Sequence, residues 1–166
     1  MLHAVLFDLD GTLLDTAADF NDLCTTCSRC QDVCPVNWKA AKGSETAFQK
    51  RHDFDAPELL PLLEMDDEEF RERFRNSPIK RTKRKGLQRN VCVALGNLGD
   101  ARAIPALRKA LVCDESLIRL HAAWALGRIG GDEALGCLKL AIAQETDPDV
   151  LDEIKITFAE WESRDL

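Results

Sequence analysis

Two copies of one pattern, Ala94-Leu95-Gly96-Asn97-Leu98-Gly99 and Ala125-Leu126-Gly127-Arg128-Ile129-Gly130, stand 31 residues apart, and this feature narrows the possible folds most. The same offset carries Ala103, Ile104 and Leu107 onto Ala134, Leu135 and Leu138. Small and apolar residues at helical spacing on both sides of a glycine turn describe a helix, a turn and a second helix. One such pair cannot bury its own apolar face, so successive pairs must stack. A third, partial unit follows Asp147-Pro148-Asp149-Val150, with Leu151, Ile154, Phe158 and Trp161 at helical spacing, and is expected to cap the stack.

Upstream of the repeat, Pro57 to Met65 reads as a short helix beginning near Ala56 to Pro57 and interrupted or kinked at Pro61. Asp66 to Arg75 places acids in its first turn and arginines in its last, with Phe70 and Phe74 on one face, and Ser77-Pro78 is expected to end it. With few repeats, this helix should pack against the first pair. The fold class that follows is all-α, behind a short N-terminal strand and turn. The expected divisions are residues 1–20 (strand and turn), 21–40 (cysteine-rich), 41–86 (helical connector) and 87–166 (helical repeat).

The run Cys24-Thr25-Thr26-Cys27-Ser28-Arg29-Cys30-Gln31-Asp32-Val33-Cys34-Pro35 has the spacing C-x2-C-x2-C-x3-C-P. Bacterial ferredoxins use this run to hold a [4Fe-4S] cluster, the last cysteine reaching a second cluster. Zinc is a further possibility for four thiolates, though the ligands are crowded for one ion. The other cysteines, Cys92, Cys113 and Cys137, are scattered in helical pattern, and Cys92 and Cys137 fall where the repeat wants small core residues. An odd total of seven cysteines, four of them within eleven residues, fits metal binding in a reducing compartment better than a disulfide framework.

From about Cys27 nearly to its end, the chain resembles epoxyqueuosine reductase, the iron-sulfur and corrinoid enzyme of tRNA queuosine modification. The resemblance is carried by Cys30 to Asn37, Phe48 to His52, Pro57 to Leu63, Ser77 to Arg81, Arg89-Asn90, Val93 to Asn97 and His121 to Leu126. It implies the last part of such a protein: a second ferredoxin-type run, a connector and a HEAT-like domain that helps bind tRNA. Cys27, Cys30 and Cys34 match cluster ligands of the family, whereas Cys24 lies outside its second run. The family's first cysteine run and cobalamin-binding catalytic domain have no counterpart in these residues. The resemblance therefore implies cluster and tRNA binding without reductase turnover by this chain alone, a separate catalytic or electron-donor protein being one possible partner.

The first twenty residues carry a different signal. Met1 to Phe7 reads as a strand ending at Asp8-Leu9-Asp10-Gly11-Thr12, which resembles the first motif of haloacid dehalogenase-type phosphatases of the phosphoglycolate phosphatase group. The resemblance implies Asp8 as nucleophile, Asp10 as general acid/base and Mg2+ between carboxylates. The other motifs of such a phosphatase are missing, and Lys39 and Lys42 have no strand to present them. An inert N-terminal graft is the expected reading, with an aspartate-nucleophile phosphatase as the alternative.

With 22 Lys and Arg against 29 Asp and Glu, the net charge of −7 argues against indiscriminate nucleic-acid binding, so the distribution of charge has to decide. Lys80, Arg81, Lys83, Arg84, Lys85 and Arg89 form six cations in ten residues with no acid among them, with Arg71, Arg73 and Arg75 just upstream. Such a run either neutralises RNA phosphates or forms a solvated helix entrance balanced by Asp66 to Glu69. The resemblance favours tRNA, with Arg89 and Asn90 either touching phosphate or bridging helical turns. A HEAT-repeat interaction scaffold is the remaining alternative. His121 falls at Asn90's place in the repeat and is expected against a neighbouring helix or the patch. Trp124 and Trp161 are expected in packing, and His3 and His52 receive no role. No apolar stretch is long enough to cross a bilayer, and Met1 to Asp8 lacks a basic region and cleavage site. A cytoplasmic protein without membrane contact is expected.

Overall fold

The computed structural model describes residues 57–75 and 77–164. They form seven α-helices: α1 Leu59–Glu64, α2 Asp67–Arg73, α3 Lys83–Leu98, α4 Ile104–Ala110, α5 Ser116–Ile129, α6 Gly131–Ile142 and α7 Pro148–Arg164. Short 3-10 helices, Pro78–Thr82 and Ala101–Ala103, lead into α3 and α4. The described residues from Glu58 onward pack as one unit, all-α as the periodicity requires.

The glycine pattern explains the packing. α3, α5 and α7 lie side by side with α5 in the middle, while α4 and α6 form a second layer against them. Gly96 and Gly127, equivalent in the repeat, mark the two joints. A Cβ on Gly96 would stand 2.6 Å from Trp124 Cζ3 and 2.9 Å from Ala125 Cα, and one on Gly127 would meet Thr157 just as closely. At Gly96 only glycine lets the backbones of α3 and α5 approach so far; at Gly127 the Thr157 side chain fills the space. The second glycine of each copy stops its helix: Gly99 has φ 63° and Gly130 φ 74°, a region that costs other residues energy. Between them, Leu95, Leu107, Leu126 and Leu138 lose all exposure, and Ala103 and Ala134 occupy equal positions in the core. Cys92 and Cys137 are buried packing groups, as expected at those positions.

α7 supplies the partial third unit. Asp147 Oδ1 accepts hydrogen bonds from Asp149 N at 3.0 Å and Val150 N at 3.4 Å at its start. Val150, Ile154 and Thr157 then face α5 and the core, and the half-buried Trp161 donates from Nε1 to Gly127 O at 3.0 Å.

Two sequence expectations about the connector are corrected. Pro61 neither interrupts nor kinks a helix: it is the third residue of α1, where its missing N–H is one of the first-turn donors that have no helical acceptor. Ser77-Pro78 does not end α2, which closes at Phe74; it opens the next 3-10 helix, with Ser77 Oγ accepting from Ile79 N at 3.3 Å. The expected acids of α2 act through a capping box. Asp66 Oδ1 accepts from Glu68 N and Glu69 N at 2.8 Å, and Glu69 Oε2 accepts from Asp66 N at 3.0 Å. Phe70 and Phe74 are both buried, with ring centroids 5.0 Å apart. α2 touches α3, while the broader contact with the first helical pair comes from α1, which packs on α3 and α4.

An ion pair that no sequence period announces ties two loops to α5. Arg119 Nε and Nη2 donate to Glu145 Oε2 at 2.7 Å and Oε1 at 2.9 Å, and Nη1 donates to Cys113 O at 2.9 Å and Asp114 O at 3.1 Å. Glu145 Oε1 also accepts from Thr146 N and Asp147 N at 2.9 Å. The Arg119 hydrogen bonds, chiefly, hold the Glu145 carboxyl down at about 2.

Candidate nucleic-acid interface

The basic run is folded into two elements, and its residues separate. Ser77 and Pro78 start the 3-10 helix, and Thr82 closes it, with Thr82 Oγ1 donating to Ile79 O at 2.8 Å. The chain then turns into α3 through Lys83, whose φ of 59° and ψ of 168° fall in a region otherwise reserved for glycine. This turn leaves Lys80, Arg81, Lys83 and Lys85 exposed. Lys85 lies 3.9 Å from Glu115 at the entrance to α5, while Lys80, Arg81 and Lys83 make no ion pair among the described residues.

Arg84 points elsewhere. Its Nε donates to Asp67 Oδ1 at 2.8 Å and its Nη1 to Gln88 Oε1 at 2.8 Å. The buried Gln88 in turn donates from Nε2 to Leu63 O at 2.7 Å and Met65 O at 2.9 Å, so this pair of side chains fastens the α1–α2 link to α3. These groups border a cleft of about 510 Å³ whose polar lining is paired, Lys109 with Glu64 closing its other side at 2.6 Å. Arg89 is half-buried and donates to Asn90 Oδ1 at 2.9 Å. Asn90 itself is buried, 3% exposed.

α5 brings further groups beside this run. His121, half-buried at Asn90's place in the repeat, donates from Nδ1 to Leu117 O at 2.8 Å; burial, more than the nearby Arg89, pushes its basicity down. Trp124 is half-buried over Gly96, and the exposed Arg128 lies over its ring at 6.0 Å from the centroid. Trp124 packs over Gly96, as expected, and the four-residue spacing of an aromatic and a cation on one helix face is the signal that sets Arg128 beside it.

The cysteine run Cys24, Cys27, Cys30 and Cys34, the acids Asp8 and Asp10, and His3 and His52 lie outside the described residues. Among the described residues no group of three or more His, Cys, Asp or Glu could hold a metal ion. Burial, and next to it Cys113, push the Cys92 thiol up to about 12. No helix among the described residues is long and apolar enough to cross a membrane.

Residues 79–156 match the family model for HEAT repeats. The chain is 36% identical over 129 residues to a Geobacillus stearothermophilus protein described as "uncharacterized protein in gldA 3'region", a match that covers 77% of this chain and 60% of that one. It is 34% identical over 129 residues to epoxyqueuosine reductase of Bacillus cereus, covering 77% of this chain and 34% of the reductase. Among solved structures, the crystal structure of epoxyqueuosine reductase with a tRNA-Tyr epoxyqueuosine-modified stem loop superposes with a TM-score of 0.70 at 32% identity, over 79% of this chain and 35% of that one. The similarity is to the C-terminal part of the reductase, and the chain spans about a third of the reductases' length.

Proposed function

We propose that this chain is a partial epoxyqueuosine reductase-like protein of tRNA queuosine modification that contributes tRNA binding and an iron-sulfur cluster, not turnover on its own. The observation that carries this reading is the superposition on a reductase solved with a tRNA stem loop. The exposed Lys80, Arg81, Lys83 and Lys85 are the groups of the basic run that meet RNA phosphates. Arg84 and Arg89 support them from within, and Asn90 from the core.

In this reading Cys24, Cys27, Cys30 and Cys34 form a donor set of thiolates suited to a [4Fe-4S] cluster, which supplies electron transfer when bound. The resemblance implies cobalamin as a further cofactor of the full reductases. A separate catalytic or electron-donor protein completes the reaction, in the cytoplasm.

The test is fluorescence anisotropy of a labelled tRNA-Tyr stem loop titrated with the full chain at several salt concentrations. Reversing Lys80, Arg81, Lys83 and Lys85 to Glu should weaken binding at least about tenfold and lower the salt slope by about one for each phosphate no longer neutralised. Weak, salt-insensitive binding that the reversal leaves unchanged would favour a protein-interaction scaffold instead. For the cluster, anaerobic reconstitution should give about four irons per chain, absent from Cys27→Ala and Cys30→Ala.

A further inference from the structure

We infer that α5 carries a second RNA contact, in which the Trp124 indole and the Arg128 guanidinium over its ring receive an unpaired base and its phosphate. This inference rests on the tRNA reading above and adds to it an aromatic platform that phosphate-neutralising lysines do not provide.

The platform is rigid because of the joint beneath it. The six-membered edge of the Trp124 ring sits where a side chain on Gly96 would stand, so the indole is seated on the α3 backbone. Arg128, one turn further along α5, covers part of the ring. Arg128 is exposed, and among the described residues it makes neither an ion pair nor a hydrogen bond, so its planar fork of donors is open to an anion. A stacked aromatic and guanidinium at the surface is the chemistry by which proteins hold unpaired bases without regard to sequence.

Two approaches between α3 and α5 lie between this platform and the basic run. His121 is three residues before Trp124 and so shares its face of α5. Because Nδ1 donates to Leu117 O, Nε2 is left as the ring's other polar atom. Arg89 of α3 lies near His121, and the Lys85–Glu115 approach at 3.9 Å joins the entrances of α3 and α5. From Glu115 to Arg128 α5 rises about 20 Å, so the surface tracks a strand rather than a single phosphate. Glu115 approaches Lys85 at 3.9 Å, and Asp152, at the register of His121 in α7, pairs with Lys155 at 2.8 Å.

The test uses the full chain, the labelled tRNA-Tyr stem loop and a blunt duplex of the same length, read by anisotropy across salt. Arg128→Ala should weaken stem-loop binding about three- to tenfold and lower the salt slope by about one. Trp124→Leu should weaken it at least about fivefold with the salt slope unchanged, and hardly affect the duplex, whereas Trp124→Phe should retain most of the affinity. Arg128→Ala keeps the test decisive should Trp124→Leu unfold, which a circular dichroism melt reports. A stem-loop affinity of Arg128→Ala within twofold of wild type, with Trp124→Leu equally unaffected if folded, would overturn this contact, while the reversal of Lys80, Arg81, Lys83 and Lys85 still weakened binding and upheld the broader reading. Equal losses on stem loop and duplex with Trp124→Leu would overturn base stacking. Absence of any stem-loop binding by the wild type would overturn both readings together.

Discussion

The same substitution should change stability in opposite directions at two glycines of this fold. Gly136, mid-way along α6, has nothing within 4 Å of where a Cβ would stand. Gly136→Ala therefore gains the helix propensity of alanine alone, about 0.5–1 kcal/mol. Gly96→Ala gains a similar amount but drives its new methyl to 2.6 Å from Trp124 Cζ3 and 2.9 Å from Ala125 Cα. A rotamer change can move an indole but not a neighbouring helix backbone, so α3 and α5 must separate. Overpacking of this kind costs about 1–3 kcal/mol, and the backbone contact puts Gly96 at the upper end. Subtracting the propensity gain leaves a net loss of about 2 kcal/mol. At about 2–4 °C per kcal/mol for a chain of this size, Gly96→Ala should melt about 4–8 °C lower and Gly136→Ala about 1–4 °C higher. Far-UV circular dichroism melts of the three proteins at one concentration decide it. A Gly96→Ala protein that melts as high as Gly136→Ala would refute the claim that glycine is required for the α3–α5 approach.

Three other side chains invite measurement. Because Glu145 is held at about 2 instead of its usual 4.5, its ion pair with Arg119 stabilises the fold above pH 4.5 and is lost as pH falls toward 2, by at most about 3 kcal/mol. Glu145→Gln should lower the urea midpoint at neutral pH and flatten the acid limb of stability against pH; an unchanged acid limb would exclude Glu145 as its source. Lys83→Gly should relieve about 1 kcal/mol of backbone strain, seen as a higher urea midpoint than that of Lys83→Ala, and equal midpoints would deny the strain. Gln88→Leu removes two buried hydrogen bonds to Leu63 O and Met65 O and should cost about 2 kcal/mol, measured by urea unfolding; a cost below about 0.5 kcal/mol would show that water replaces the amide.

The repeat was legible because its glycines encode geometry directly: Gly96 and Gly127 through close approach, Gly99 and Gly130 through positive φ. The core positions carried by the 31-residue offset followed from the same period. Pro61 misled because a proline's effect depends on where the helix begins, and no capping side chain marks the start of α1. The basic run was legible as charge but not as a surface. Which of its cations faces solvent depends on Asp67, Gln88 and the turn at Lys83, all partners set by tertiary packing. The Arg119–Glu145 pair spans 26 positions and joins a helix to a loop, so no local spacing could announce it.

The two glycine joints are equivalent in sequence but not in what they receive. Gly96 takes Trp124 and Ala125, whereas Gly127 takes Thr157, which the repeat aligns with Leu126. A gene rearrangement that deleted the middle unit and fused the first directly to the last would bring Lys155, the counterpart of Trp124, toward Gly96. The seam would then lack its indole and gain an ammonium group. The units of this domain are therefore each specific for their neighbours. Recombination among homologous repeats can no longer shorten it without remaking a joint.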